Sequence, residues 1–138
     1  MSASSIIEQQ EIEQQLLALY QEWRELTHRE RESILAQAWV NVQSYQTQKY
    51  HLQDKIVRAT DSLQRRFGES SVLQEFWNRV RRLVAELVQL EAKNGELIGE
   101  HKARVQSELV AYDQAQRSVS RLNRSRSFQG TASWSSYG

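Results

Sequence analysis

The sequence predicts an all-α protein: an antiparallel bundle of three long helices, a long helical hairpin of coiled-coil character, followed by a disordered carboxyl-terminal tail. Three observations predict it. The 138 residues include no proline and only five glycines, so little in the chain interrupts a helix. The apolar residues recur at alternating steps of three and four, the period of a helix with one buried stripe. The segment Gly68-Glu69-Ser70-Ser71 is a short break between two such stripes, and so short a connection makes its flanking helices antiparallel neighbours. One helical domain is expected over residues 1–122, with a flexible Arg- and Ser-rich tail over 123–138.

The first helix is read from Ile6 onward, with Ile12, Leu16, Leu19, Tyr20, Trp23 and Leu26 on one face. Glu8, Glu11 and Glu13 fall in its early turns, where the helix dipole favours negative charge. Gln9, Gln10, Gln14 and Gln15 are expected at exposed positions. Between Leu26 and Val42 the apolar stripe changes phase, and two outcomes are consistent with that. Four-residue steps could absorb the change within one helix as a stutter, or the helix breaks near Gln37 to Asn41. No glycine or proline forces the break; a break, giving three helices, is the expectation.

The second helix carries Val42, Tyr45, Leu52, Ile56, Ala59, Leu63 and Phe67 on its stripe. Lys49 interrupts that stripe and is expected to lay its stem along it. Gly68 suits a left-handed carboxyl cap. The third helix runs from about Val72 to Leu122, through Leu73, Phe76, Val80, Leu83, Leu87, Leu90, Asn94, Ile98, His101, Val105, Leu109, Tyr112, Ala115, Val119 and Leu122. Such a helix is roughly 75 Å long and needs other helices against its stripe to be stable in water. Asn94-Gly95 and Gly99 interrupt it, each marking either the close approach of a partner or a weak point. No acidic residue follows Asp113, whereas Arg117, Arg121, Arg124 and Arg126 do.

Composition narrows the function classes. A formal net charge of +1 argues against a general nucleic-acid binder, which is strongly basic as a rule. The absence of cysteine removes disulfides, thiolate chemistry and cysteine metal sites. No signal-peptide pattern and no apolar run long enough to span a membrane is present, so a cytoplasmic protein is expected. Glu25-x-x-His28 has the spacing of helical di-iron ligands, but such sites need a second pair. Neither His51 nor His101 has a glutamate three residues before it. No nucleophile elbow, phosphate-cradling loop or acid/base pair appears; no metal, no cofactor and no enzyme activity is expected. Arg65, Arg66, Arg79, Arg81 and Arg82 crowd the hairpin tip, most simply as a solvated helix end. Trp23, Trp39 and Trp77 fall on stripes and read as core. Phe128, Trp134 and Tyr137 belong to no stripe and suggest a tail that docks on something.

Two stretches resemble the FlgN family of flagellar export chaperones. One runs from Leu19-Tyr20-Gln21-Glu22-Trp23-Arg24-Glu25-Leu26 through Ile34-Leu35 to Lys49 and Leu52. The other is Leu83-Val84-Ala85-Glu86-Leu87-Val88-Gln89-Leu90-Glu91-Ala92-Lys93-Asn94-Gly95-Glu96-Leu97-Ile98, followed by Val105, Leu109 and Tyr112. The resemblance covers most of residues 15–115. It implies a chaperone that binds hook-associated proteins through its carboxyl-terminal amphipathic helix, keeps them unassembled and delivers them to the flagellar type III export gate. Carried onto this chain, the client face is Val105, Leu109, Tyr112, Val119 and Leu122, with Trp134 and Tyr137 as additions, and Tyr112 or Tyr137 meets the gate. The chain departs from the family at Gln37-Ala38-Trp39-Val40-Asn41, where members carry a small, often Gly-Asp step. A structural coiled coil that self-associates through the same stripe, with no client, is the alternative expectation.

Overall fold

The computed structural model describes residues 3–68 and 71–137, with side chains throughout except at Val72 and at 127–137. Three helices make up the described chain: α1 (Ala3–Leu35), α2 (Trp39–Phe67) and α3 (Ser71–Tyr137). No strand occurs among the described residues. The chain divides into two units, Met1–Ile98 and Gly99–Gly138.

The phase change between Leu26 and Val42 is a break. Helix α1 ends at Leu35, and the Ala38 N–H reaches back to the Ser33 carbonyl at 2.8 Å while the Gln37 N–H reaches the Ile34 carbonyl at 3.0 Å. These two bonds form a complete Schellman ending. The left-handed position in it, commonly glycine, is Gln37 with φ of 57°. A residue with a β-carbon therefore stops α1 where sequence patterning finds no glycine or proline. At the other connection Gly68 has φ of 63° and ψ of −162°, and its N–H bonds the Gln64 carbonyl at 3.0 Å. That backbone region is open to glycine almost alone, so Gly68 ends α2 where expected, though not in the left-handed helical conformation of the expected cap.

Within the first unit the helices run up, down and up. Glu8 on α1 approaches Arg66 on α2, and farther along α1 Glu30 meets Lys49, so the two are antiparallel. Arg24 meets Glu86 at 2.8 Å and Thr27 meets Glu91 at 3.0 Å, so α1 and the first part of α3 run the same way. The apolar core lies toward the Gly68 connection: Leu16 from α1, Leu63 from α2, and Leu73, Phe76 and Val80 from α3. Ile12, Tyr20, Ile56, Phe67, Trp77 and Val84 pack around it. Toward the Gln37 connection Leu26, Ile34, Val42, Leu52 and Leu87 are buried. Leu16, Leu63 and Leu73 are completely enclosed, and each is a side chain whose full burial is worth about 1.5–3 kcal/mol.

Two expectations about polar positions are corrected. Gln9 is buried rather than exposed, and its amide donates to Glu13 Oε1 at 3.2 Å, which satisfies the group there. Lys49 does not carry its ammonium out to water. The whole residue is buried, because acceptors for its charge are supplied inside the bundle.

Candidate functional site

Two features set the chain apart from a plain helical bundle: a polar layer inside the first unit, and an uncovered apolar stripe in the second.

The polar layer arises because each helix places a polar residue on its own buried stripe at the same level of the bundle. Along α1 every seventh residue from Leu16 gives Trp23 and then Glu30. Along α2 the series Val42, Lys49, Ile56, Leu63 contains one cation. Along α3 Leu73, Val80 and Leu87 lead to Asn94. These three polar residues converge. Lys49 Nζ lies 3.0 Å from Glu30 Oε1 and 2.6 Å from Glu91 Oε1. Asn94 Nδ2 donates to Glu30 Oε1 at 2.8 Å and to the Thr27 carbonyl at 2.9 Å. The Trp23 indole N–H donates to Glu91 Oε1 at 3.0 Å. The Thr27 hydroxyl sits 2.8 Å from the Trp23 carbonyl and 3.0 Å from Glu91 Oε1, within reach of both with its single proton. The Lys49 ammonium also stands 5.7 Å from the centre of the Trp23 ring, a favourable distance for a cation over an aromatic face.

Burial raises the stakes of this geometry. The Glu30 side chain is 2% exposed and that of Lys49 7%, whereas Glu91 keeps 36%. A buried carboxylate without its counter-ion is far costlier than a surface one. Here each polar atom has a partner: no described buried side-chain nitrogen or oxygen lacks a hydrogen bond. A satisfied buried network of this kind favours one register over its neighbours, since sliding any helix orphans a charge. An open groove of about 360 Å³ runs beside it, bordered by Trp23, Gln46, Lys49, Glu91, Gly95 and Ile98. Gly95 borders that groove without any close approach, and a β-carbon there or at Gly99 would meet open space. Within this chain Gly95 and Gly99 thus mark no tight crossing, and α3 runs through both.

The second feature begins where the first unit ends. The residues at every seventh position from Leu73 are buried as far as Asn94; then His101 is half-buried and Glu108, Ala115 and Leu122 are exposed. Each described residue from Lys102 to Arg126 is exposed. Val105, Leu109, Tyr112, Val119 and Leu122 lie here, with exposures from 37% at Val105 to 63% at Tyr112. Val105, Leu109, Tyr112 and Val119 fall on one side of α3, with Leu122 at its margin, by their spacing of three, four and seven. The Tyr112 hydroxyl accepts a hydrogen bond from Gln116 at 2.9 Å along the same side. The side chains of Trp134 and Tyr137 lie outside the described residues, as does that of Phe128.

The remaining candidates from the sequence are ordinary surface groups. Glu25 is bound to Arg29 at 2.6 Å, and no group of three His, Asp or Glu suited to a metal ion occurs among the described residues. At the hairpin tip Arg65 pairs with Asp61, whose carboxyl it holds below the usual carboxylate range. Arg66 approaches Glu8 at 3.9 Å, and Arg81 donates to Asn78 at 3.1 Å. Asp61 and Glu8 reduce the charge that the tip offers to an acidic ligand. No helix among the described residues is long and apolar enough to cross a membrane. Trp23 and Trp77 sit at the margin of the core, half-buried, with Trp77 edge-on to Phe76 at 5.3 Å between ring centres.

No protein-family model matches the chain, and neither does any curated protein or any solved structure.

Proposed function

We propose that this chain is a flagellar export chaperone of the FlgN type. It binds hook-associated proteins through Val105, Leu109, Tyr112, Val119 and Leu122, keeps them unassembled, and delivers them to the type III export gate. One observation carries the reading: the stripe that is buried from Leu73 to Asn94 continues along α3 onto apolar residues that the chain leaves exposed. A stripe repeating at three, four and seven is what an amphipathic client helix needs in a groove or side-by-side partner. The function needs no catalytic group, and the polar layer serves it by fixing the first unit in one register. Trp134 and Tyr137 are proposed additions to the client face, and Tyr112 or Tyr137 is the contact for the gate.

A pull-down of the source bacterium's hook-associated proteins by the full-length chain tests the proposal. Capture by the native chain, lost on Leu109→Asp with Val119→Asp, is the expected outcome. No capture of any hook-associated protein by the native chain would sink it.

A further inference from the structure

We infer that the groove beside the polar layer, between Trp23 and Glu91, is a binding site for a guanidinium group. Every residue that borders it belongs to the first unit, so the site is separate from the client face and does not rest on the reading above.

The first observation is an imbalance of charge at the groove. Two carboxylates, Glu30 and Glu91, share one ammonium, Lys49. Among the described residues no other cation lies within ion-pair distance of either carboxylate, and no cation but Lys49 borders the groove. Glu30 and Lys49 are withdrawn from water together and neutralise each other in the interior. The charge left over is that of Glu91, whose side chain keeps 36% exposure. Trp23, Thr27 and Lys49 all approach its Oε1, and Oε2 takes no part in those contacts. A carboxylate at the edge of a low-dielectric interior draws a cation more strongly than one on the open surface.

The second observation is what surrounds that carboxylate. The groove holds about 360 Å³, within the range of about 300–1,000 Å³ usual for small-ligand sites. Trp23 stands on the same seven-residue series as the buried Leu16 and Glu30, yet it is only half-buried and borders the groove. Tyr50, an exposed ring, and Ile98 add apolar surface, and Gln46 and Gln53 add side-chain amides. Gly95 keeps the space open, since it borders the groove and a β-carbon there would meet nothing within 4 Å.

This combination selects the ligand. An anion is repelled by the excess charge, and a neutral apolar group would strip water from Glu91 without replacing it. A guanidinium is flat and weakly hydrated, so it lies against an aromatic ring while its N–H groups bond carboxylate and amide oxygens. A compact ammonium holds its water more tightly and offers no face to stack. The group can come from an arginine of a partner protein or from a free small molecule, and the same groove chemistry serves both.

The test titrates the isotopically labelled full-length chain with N-acetyl-arginine N-methylamide, with agmatine, and with N-acetyl-norleucine N-methylamide as the uncharged control. The readout is the resonance of the Trp23 indole N–H, which donates to Glu91, assigned by its loss in Trp23→Phe. Both guanidinium compounds should move it saturably and the norleucine compound should not. Saturation by agmatine at the lower concentration assigns a free ligand, and the reverse assigns a protein side chain. Glu91→Gln should weaken the effect by about tenfold. Gly95→Leu extends a side chain from the groove wall and leaves the polar contacts of the layer in place; it should abolish the effect in a chain that melts no lower than the native one. No saturable shift with either guanidinium compound, an equal shift with the norleucine compound, or undiminished binding in Gly95→Leu would overturn the inference.

Discussion

Lys49 on α2 and Glu30 on α1 meet at 3.0 Å with both side chains almost wholly withdrawn from water. Among the described residues no other charged pair lies so deep, and this one sits where all three helices contribute: Asn94 of α3 donates to the same Glu30 oxygen. The consequence for stability is asymmetric. Lys49→Met leaves a buried carboxylate with only the Asn94 amide, and the expected loss is about 3–5 kcal/mol. Replacing both partners, Lys49→Met with Glu30→Leu, removes the charge as well as its counter-ion and should recover most of that loss. Urea unfolding of the two single variants and the double variant measures the coupling. Additive losses would show that the pair is not a unit.

The ending of α1 makes a prediction of opposite sign. Gln37 holds the left-handed position of the Schellman turn with φ of 57°, and a residue with a β-carbon is disfavoured there by about 1–2 kcal/mol. Gln37→Gly relieves that strain at some cost in unfolded-chain entropy, so the variant should be more stable by about 0.5–1 kcal/mol. At Gly68 the backbone region admits little but glycine, and Gly68→Ala should cost about 1–3 kcal/mol. Thermal melts of both variants check the two signs together.

Tyr20 predicts a response to alkali. Burial of its hydroxyl beside the apolar core raises its pKa above the ordinary 10.0, partly offset by a hydrogen bond with Thr60. The folded chain therefore holds the phenol proton to higher pH than the unfolded chain does. Stability from this group is complete below pH 10 and declines as pH rises through the folded value, since only the unfolded chain ionises in that interval. Tyr20→Phe should flatten the decline above pH 10 while losing the Thr60 bond at neutral pH. Denaturant midpoints measured either side of pH 10 check it; an unchanged slope in the variant would assign the alkaline loss elsewhere.

Much of the fold is legible in the spacing of apolar residues, because burial of one helix face leaves that spacing little freedom. Leu16, Leu26, Leu52, Leu63, Leu73 and Leu87 are all read from it and all buried. The polar layer is harder to see. Glu30 sits in the run Arg29-Glu30-Arg31-Glu32, which reads as a solvated face, and Lys49 reads as a cation escaping to water. A signal exists in the seven-residue series of each helix, where Glu30, Lys49 and Asn94 follow apolar positions, but it acquires meaning only when the three helices are aligned. The break at Gln37 was legible as a phase change but not as a turn, because the turn uses a residue that sequence rules assign to helices. The exposed face of α3 is legible as a stripe; that the stripe is uncovered is visible only in the exposure of each described residue from Lys102 to Arg126.

Because Val105, Leu109, Tyr112, Val119 and Leu122 are exposed, substitutions there should leave the folded chain intact. Leu109→Asp with Val119→Asp is expected to change unfolding stability by less than about 1 kcal/mol, in contrast to Lys49→Met. Circular dichroism melts separate the two classes, and a large loss in the double variant would mean that the face is packed in solution.

The most direct measurement of the central claim is a calorimetric titration of the full-length chain with each purified hook-associated protein of the source bacterium, alongside the Leu109→Asp and Val119→Asp double variant. Saturable binding by the native chain to at least one of them, weakened at least tenfold in a variant that melts like the native chain, is the result predicted. Binding that is equal in the two chains, or absent from the native one, would contradict the assignment of that face to a client.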